Sequence, residues 1–186
     1  FWHGKKVLVT GHTGFKGSWL LYLLADLGAE VFGVSDTDKG SDSLFVKLRG
    51  QDFVVNNKLG LAEYYDITDL HNLITIINEF QPEIIFHLAA QPLVLRSYVD
   101  PISTFMTNTL GTVNLLEASK GAQNLRSIIS VTTDKVYLNN GEGYSYRESD
   151  PLGGHDPYSS SKACADLATK AYYQSFLKDR GIGVSS

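Results

Sequence analysis

The chain has 186 residues, of which 43% are hydrophobic and 11% aromatic, and its formal net charge is -4. A chain of this length buries about two-thirds of the surface that it exposes when unfolded, so one globular domain over residues 1–186 is expected. Because acidic and basic residues are mixed along the chain, no broad cationic surface for nucleic acids or anionic lipids is predicted.

Cysteine content, hydropathy and the first residues of the chain indicate the cellular compartment. The single cysteine, Cys164, has no internal partner for a disulfide. No stretch approaches the roughly 20 apolar residues that cross a bilayer, and residues 1–6 lack the basic and apolar regions of a signal peptide. We therefore predict a cytoplasmic protein with no membrane partner.

Short β-branched runs alternate with segments of helical period along the whole chain. Strands are predicted at 5–10, 30–35, 61–65, 83–88 and 126–131, with an incomplete sixth strand at 181–186. Helices are predicted around 20–27, 44–48, 70–77, 101–120 and 157–178. The alternation predicts a doubly wound, parallel-sheet Rossmann fold with three layers, α/β/α. Because the sequence stops inside a strand, we expect it to be truncated.

The spacing of apolar residues predicts which side of each helix faces the core. The predicted inward residues are Leu20, Leu23, Leu24 and Leu27, then Leu70, Leu73, Ile74 and Ile77, then Ile102, Phe105, Met106, Val113 and Leu116.

A glycine-rich turn joins the first strand to the first helix. Its glycines, Gly11, Gly14 and Gly17, stand three residues apart, which allows a tight turn and a close approach of backbone N–H groups to a pyrophosphate. The predicted contacts to a dinucleotide in this turn are Gly11, Thr13, Gly14, Phe15, Lys16 and Gly17. His12 and Lys16 are unusual in such a turn, and either could contact the diphosphate or crowd it.

An acidic residue follows the second strand. Asp36 stands where a carboxylate would bind the adenosine ribose hydroxyls, and it would repel a 2′-phosphate. The predicted cofactor is therefore NAD. The exit of the fourth predicted strand, from His87 through Leu88, Ala89 and Ala90 to Gln91, offers small residues where a backbone must pass close to the dinucleotide, whereas His87 itself is expected in the core.

Two segments carry candidate catalytic groups. Tyr158 and Lys162 are four residues apart in a predicted helix that starts with Asp156 as N-cap, so they share one face. An ammonium there stabilises tyrosinate, which makes Tyr158 a usable base. At the end of another strand, Thr133 can hydrogen-bond a reacting oxygen, and the next two residues, Asp134 and Lys135, can act as acid and base. No metal site is predicted.

With these motifs the chain resembles the extended short-chain dehydrogenase/reductases that modify nucleotide sugars, and within them the CDP-glucose 4,6-dehydratases. The resemblance rests on the segments Thr10–Gly17, Ala89–Val94, Thr133–Lys135 and Gly153–Tyr158. Related dTDP-glucose dehydratases carry Asp-Glu at the position of Asp134-Lys135, and 4-epimerases lack that acidic residue.

The resemblance implies an NAD-dependent dehydration of CDP-glucose to CDP-4-keto-6-deoxyglucose, in which Tyr158 takes the C4 hydroxyl proton and Asp134 and Lys135 serve the loss of water. It further implies that Asp66 and Ile67 lie beside the adenine and Asn108 lies toward the pyrophosphate. A carboxyl-terminal domain that grips the nucleotide is expected beyond this sequence, together with a homodimer or a larger homo-oligomer built on helices 101–120 and 157–178.

Three alternatives remain open from the sequence. The chain could act on another nucleotide sugar as a dehydratase, act as a 4-epimerase, or bind NAD without turnover.

Overall fold

A computed structural model describes residues 1–36, 40–55, 64–141 and 143–186. Five parallel strands form one sheet in the order β2-β1-β3-β4-β5. The strands are β1 (Lys6–Thr10), β2 (Glu30–Val34), β3 (Ile84–His87), β4 (Ser127–Ser130) and β5 (Gly183–Ser185). The chain therefore reverses its direction across the sheet next to β1, where the exits of β1 and β3 lie side by side. Open α/β sheets bind ligands at such a point.

Helices connect the strands. They are α1 (Phe15–Asp26), α2 (Leu44–Lys47), α3 (Leu70–Phe80), α4 (Val94–Val99), α5 (Pro101–Phe105), α6 (Gly111–Ser119) and α7 (Pro157–Tyr172). Wider π-helical turns continue α5 at Met106–Leu110 and α7 at Tyr173–Leu177, and short 3-10 turns lie at Gly50–Asp52, Asp134–Val136 and Lys178–Arg180. None of the described helices is long and apolar enough to span a bilayer.

Apolar residues are buried on both faces of the sheet. On one face, alternate strand residues such as Leu8 and Ile85 pack against α3 and α6. On the other face, Val7 and Val9 pack against Leu21 of α1 and its neighbours. A strand buried on both sides has no polar face, which explains the continuous β-branched runs of the sequence. The predicted three-layer Rossmann fold is confirmed.

Helix ends follow local sequence signals. The Asp156 carboxylate accepts a hydrogen bond from Ser159 N at 3.0 Å, so Asp156 caps α7 as predicted, with Pro157 in the first turn. Gly28 follows α1 with a φ of +81°, a conformation that favours glycine, and its N–H donates to Ala25 O.

The predicted element boundaries differ from the structure in three places. The predicted strand 61–65 lies mostly outside the described residues, and Tyr64 and Tyr65 are not in a strand. α4 was not predicted. The long helix predicted at 101–120 is α5, a wider turn and α6 in succession.

The predicted inward face of α1 is partly wrong. Leu24 is buried as expected, but Leu23 is 53% exposed and Leu27 is 43% exposed. The helix is rotated because Gly17 must lie against the carbonyl of Gly11, and this contact turns positions 17, 21 and 24 toward the sheet. In α3, Ile74 is also exposed, whereas Leu73 and Ile77 are buried.

The predicted inward face of helix 101–120 is wrong in its first half. Ile102, Phe105 and Met106 are exposed, and of the two later residues that were predicted inward, Leu116 is buried and Val113 is half-buried. The buried positions are polar: Thr104, Asn108 and Thr112 are hydrogen-bonded at four-residue spacing. Because these polar groups find partners inside, the apolar residues of the same segment face outward.

Candidate cofactor and catalytic site

The glycine-rich turn packs against the exit of β3. Gly11 has a φ of +72°, and a Cβ at this position would lie 2.7 Å from the backbone nitrogen of Ala89. A Cβ on Gly17 would overlap the carbonyl oxygen of Gly11. The two glycines therefore allow β1, β3 and α1 to converge more closely than side chains would permit.

The first turn of α1 opens into a cavity. Its N-cap residue is Gly14, and neither a side-chain cap nor an acidic residue is present in this first turn. The backbone N–H groups at the start of the helix thus have no acceptor from a capping side chain, and the helix dipole places partial positive charge there. Such a helix start binds anions, phosphate groups above all.

The cavity has a volume of about 410 Å³ and lies at the carboxyl edge of the sheet. It is lined by the turn after β1, the end of β2, the segment before α3, the exits of β3 and β4, the turn after α5, and α7. Asp36 lines one part of the cavity, and Lys16 and Lys162 line another. The site therefore combines small backbone-exposing residues and two cations with a carboxylate.

Lys162 is buried in the wall of this cavity, on α7. Its Nζ donates to the carbonyl oxygen of Val131 at 3.2 Å. Burial, with a smaller contribution from the like charge of Lys16, lowers the pKa of Lys162 to about 8. Tyr158, one turn earlier on the same helix, lines the same cavity and is half-buried. A phenol and a buried ammonium thus lie together beside the glycine-rich turn.

The segment after β4 forms a short turn. Thr133 begins it, and its Oγ1 accepts from Lys135 N at 3.4 Å and donates to the carboxylate of Asp134 at 3.1 Å. Asp134 and Lys135 are exposed, and neither lines the cavity. Their neighbour Thr132 does line it, so the turn lies at the cavity rim.

Backbone hydrogen bonds hold this turn next to the start of α7. Leu138 N donates to Pro151 O at 2.9 Å, and Gly153 N donates to Val136 O at 2.7 Å, which closes the intervening loop at its base. Burial alone would raise the pKa of the Asp156 carboxyl, but hydrogen bonds from Ser159 and the charge of Lys135 hold that pKa below its usual range. The Lys135 side chain therefore acts electrostatically on the cap of the helix that carries Tyr158.

His87 lies in a complete hydrogen-bond chain beneath the cavity. Thr112 Oγ1 donates to Asn108 O, so it accepts from His87 Nε2 at 2.9 Å. Thr10 Oγ1 accepts from Ala89 N and donates to His87 Nδ1 at 2.7 Å. One neutral tautomer satisfies every group. Burial, with a smaller contribution from Lys162, lowers the pKa of His87 to about 3. The expectation that His87 belongs to the core is confirmed.

His12 points away from the cavity. Its ring packs against Phe45, with centroids 5.2 Å apart, and fills the space that a Cβ on Gly33 would need. Its Nδ1 is buried without a hydrogen-bond partner among the described residues. Burial lowers the pKa of His12 to about 4, against a small opposing effect of its bond to Val34. Of the two unusual residues in the turn, only Lys16 lines the cavity.

The other residues predicted to bind the cofactor divide into two groups. Those that line the cavity are Gly11, Thr13, Gly14, Phe15, Lys16, Gly17, Asp36, Ile67, Leu88, Ala89, Ala90, Tyr158 and Lys162. Asp66, Gln91 and Asn108 do not line it. The amide of Asn108 instead bonds to the backbone of Gln91 and to Ser161 Oγ, which ties the β3 exit to α7.

Comparison with known proteins agrees with this architecture. A sequence profile of the family described as GDP-mannose 4,6 dehydratase matches residues 8–182. The chain belongs to this family. The predicted resemblance to extended short-chain dehydrogenase/reductases of nucleotide sugars is thereby confirmed.

Individual relatives show which enzymes of this family the chain resembles. A CDP-glucose 4,6-dehydratase of Salmonella typhimurium is 46% identical over 191 residues, which cover 100% of this chain and 52% of the relative. A GDP-mannose 4,6-dehydratase of Yersinia enterocolitica is 32% identical, over 92% of this chain and 46% of the relative. The chain spans about half the length of the curated relatives that it matches.

One solved structure with a similar fold is that of a dTDP-glucose 4,6-dehydratase from Streptomyces venezuelae with NAD bound. It superposes with a TM-score of 0.73 at 28% identity and covers 96% of this chain and 53% of that one. A UDP-glucose 4-epimerase of Thermotoga maritima superposes with a TM-score of 0.78 at 26% identity, over 92% and 52% of the two chains.

Six cavity residues of this GDP-mannose 4,6 dehydratase family member escaped prediction from sequence. They are Ser35, Tyr65, Pro92, Thr107, Val131 and Thr132. Several adjoin predicted residues: Ser35 precedes Asp36, and Thr132 precedes Thr133. Their positions at strand ends were a usable signal. Thr107 carried no such signal, because its place depends on how the turn after α5 packs.

Proposed function

We propose that this chain carries the cofactor site and the acid–base residues of an NAD-dependent nucleotide-sugar 4,6-dehydratase that acts on CDP-glucose. The observation that carries the proposal is the buried Lys162 beside Tyr158, in the same cavity as the first turn of α1. The 46% identity to the Salmonella CDP-glucose 4,6-dehydratase supports the nucleotide, since the GDP-mannose relative from Yersinia is only 32% identical.

The cavity fits NAD in its chemistry. The uncapped start of α1 and the cation of Lys16 suit a diphosphate. Asp36 lines the cavity, and a carboxylate there suits two ribose hydroxyls and repels a 2′-phosphate. We therefore propose NAD rather than NADP. When bound, NAD would supply the acceptor that takes a hydride from the sugar and later returns it.

Tyr158 and Lys162 would move the first proton. Lys162 is predominantly protonated at pH 7, because its pKa is about 8. Tyr158 lines the same cavity one turn earlier on α7, and its oxygen would accept the proton of the sugar C4 hydroxyl as C4 is oxidised. Thr133, at the rim, would hydrogen-bond the same oxygen. The product of this step is a 4-keto sugar.

Asp134 and Lys135 would serve the loss of water. A ketone at C4 makes the C5 hydrogen acidic, and the Lys135 amine would accept that proton. Asp134 would act as the acid that donates a proton to the C6 hydroxyl, which leaves as water while the C5–C6 double bond forms. Both side chains reach from one turn beside the start of α7. With the hydride that bound NAD would return at C6, a proton at C5 would complete CDP-4-keto-6-deoxyglucose.

The direct test is incubation of the complete gene product with NAD and CDP-glucose. The 4-keto product should develop ultraviolet absorbance in alkali, and CDP-glucose should be consumed faster than dTDP-glucose or GDP-mannose. Activity only with another nucleotide sugar would overturn the assignment of CDP-glucose.

A 4-epimerase is the second candidate, and the superposition on the Thermotoga UDP-glucose 4-epimerase favours it. An epimerase would interconvert C4 epimers through a bound 4-keto sugar and would not release the alkali-sensitive ketone. Conversion of CDP-glucose to CDP-galactose with no ketone would establish that alternative, whereas NAD binding without any turnover would indicate a binding protein.

We further propose that two copies associate through α5, the turn after it and α7. Ile102, Phe105, Met106 and Leu110 form an exposed apolar groove there, and Leu167 of α7 is 55% exposed. Replacement of Ile102 by Glu should halve the mass measured by light scattering. An unchanged mass would reject this interface.

We also propose that the protein works in the cytoplasm. Cys164 is free and exposed, as is common where thiols stay reduced. Cell fractionation tests the location, and recovery from an extracytoplasmic fraction would contradict it.

A further inference from the structure

Three tyrosines pack together in the loop that leads from the turn Asp134–Val136 to α7. The ring of Tyr146 stacks on that of Tyr137, with centroids 5.2 Å apart and the ring planes 17° from parallel. Tyr144 meets the ring of Tyr146 edge-on, with centroids 5.0 Å apart. We call these three residues the tyrosine cluster. None of the three packs against the described residues of either buried core, so the cluster belongs to the loop.

The hydroxyl groups of the tyrosine cluster bind other parts of the loop. Tyr146 Oη accepts a hydrogen bond from Asn140 N at 3.0 Å. Tyr144 Oη donates to one carboxylate oxygen of Asp150 at 3.3 Å, and the other oxygen accepts from Arg147 N at 2.8 Å. The charge of Asp150 raises the pKa of Tyr144, which keeps this phenol protonated as a donor. The loop is therefore held together by its own side chains.

Tyr137 joins the tyrosine cluster to the turn that carries Asp134 and Lys135. It is the first residue after that turn, and it forms an antiparallel bridge with Leu152, between the two backbone hydrogen bonds that close the loop. The backbone of Tyr137 is thus held by the base of the loop, and its ring is held by Tyr146. Because Tyr137 adjoins the turn, this stack limits the movement of the turn as well.

The loop is long for a segment without regular secondary structure. Between Val136 and Pro157 the described residues form neither a helix nor a strand. Such long connections are uncommon in compact domains, and compact loops packed by their own side chains are frequently functional. Stacked rings offset part of the entropy that is lost when a loop is fixed. Aromatic rings that support no core therefore point to a role in the site beside them.

We propose that Tyr146 is a positioning residue for the loss of water. By stacking on Tyr137 it fixes the backbone of the turn, and with it the positions of Asp134 and Lys135, whose side chains are exposed. Tyr146 itself does not line the cavity. The inference rests on the proposed dehydratase function and adds a residue to it.

Oxidation at C4 should not depend on the tyrosine cluster. Tyr158 and Lys162 lie on α7, which is held by the wider turn after α5. Asn108 Nδ2 donates to Ser161 Oγ at 2.9 Å, and Thr109 Oγ1 donates to Ser161 O at 3.0 Å. These contacts do not involve the loop. Loss of the stack should therefore slow one half of the reaction rather than both.

The first experiment follows a single turnover of the complete gene product with NAD after mixing with CDP-glucose. In Tyr146→Ala, dehydration should slow about tenfold while oxidation at C4 keeps its wild-type rate, so that reduced cofactor accumulates. Tyr146→Phe keeps the stack and should restore dehydration close to the wild-type rate. Tyr98→Ala, which removes an exposed tyrosine of α4, is the matched control and should behave as wild type.

Several results of this experiment would overturn the proposal. Unchanged dehydration in Tyr146→Ala would show that the stack is dispensable, and equal slowing of both steps would indicate a general structural effect. If Tyr146→Phe were as slow as Tyr146→Ala, the hydroxyl rather than the stack would be responsible. A higher KM with both steps unchanged would make the tyrosine cluster a contact for the substrate.

Hydrogen exchange without substrate tests the positioning separately from activity. Tyr146→Ala should speed exchange of the Leu138 and Gly153 amides about tenfold, since these close the base of the loop, whereas amides of α7 should be unaffected. Tyr146→Phe should exchange as wild type does. Unchanged exchange in Tyr146→Ala would refute the positioning role even in an active dehydratase. A wild type that forms no 4-keto sugar would instead refute the proposed function on which this role rests.

Discussion

The two groups of candidate catalytic residues occupy different environments. Tyr158 and Lys162 lie in the wall of the cavity, where burial shifts the pKa of the lysine. Asp134 and Lys135 lie on an exposed turn outside it. The first pair is therefore organised by packing that this chain provides. The second pair is held by the backbone hydrogen bonds at the base of the loop that joins the turn to α7, and by one hydrogen bond from Thr133 Oγ1 to the Asp134 carboxylate.

This difference indicates how the chemistry would be divided. Proton and hydride transfer at C4 would use groups whose electrostatic environment is already present. Loss of water would use Asp134 and Lys135, which must be shielded from solvent when the substrate is bound, because solvent screens exposed charges. Of the four experiments below, given in order of decreasing effect, two separate these halves and two test the packing around the cavity.

The largest effect is expected for Tyr158→Phe. Loss of a positioned acid–base group lowers kcat by about 10³-fold, or about 4 kcal/mol in the barrier, while NAD binding should remain. Steady-state turnover and calorimetric NAD titration measure the two quantities. Tyr98→Phe, which alters an exposed tyrosine on α4, is the control. A Tyr158→Phe enzyme as fast as wild type would exclude the proposed role.

The next effect concerns the turn that shapes the cavity. Gly17→Ala should reduce the free energy of unfolding by about 3 kcal/mol and weaken NAD binding, because the new Cβ meets the carbonyl of Gly11. Gly153→Ala is the control, since its Cβ would meet Leu138 at an ordinary 3.6 Å. Chemical denaturation should leave this control near wild type. If both variants are equally stable, α1 does not need the close contact.

Lys135→Met tests the exposed turn. We expect dehydration to slow by about 10²-fold, or about 2.7 kcal/mol, with oxidation at C4 preserved. Reduced cofactor should then accumulate, and exchange of the C5 hydrogen with deuterated solvent should be lost. Exchange at the wild-type rate would show that another group is the base at C5.

The smallest expected effect is a pH dependence of the free energy of unfolding that comes from His12. The pKa of His12 is about 4, lower than its ordinary 6.5, so the unfolded chain binds more protons between these values. Stability should therefore fall as pH falls through this window, by about 2 kcal/mol from this histidine between pH 7 and pH 5.

His12→Phe should remove that contribution from denaturation curves measured at both pH values. His71→Gln, which alters an exposed histidine at the start of α3, should retain the full pH dependence. An equal loss of stability on acidification in wild type and His12→Phe would show that protonation of His12 does not destabilise the fold.

Local patterns predicted much of the fold and of the cavity. The alternation of strands and helices, the Asp156 cap and the glycine spacing each depend on neighbours in sequence, and the structure has all three. The residues predicted at strand ends also make up most of the cavity lining, because parallel strands end at one edge of a sheet.

The rotation of the helices depended on packing. The periodicity of α1 allowed two apolar sides, and the sequence could not decide between them because both contain leucine at helical spacing. The contact between Gly17 and Gly11 selected the side with Leu21 and Leu24 and left the other exposed. In the segment after α5, buried hydrogen bonds of Asn108 and Thr112 turned the apolar residues outward.

The sequence by itself thus determined the class of fold, the glycine-rich turn and the pairing of Tyr158 with Lys162, since each follows from spacing along one element. Only the tertiary structure decided the burial of Lys162, the orientation of His12 away from the cavity and the exposure of Leu23 and Leu27 on α1. These properties depend on which residues distant in sequence come together, and spacing within a single element does not specify that.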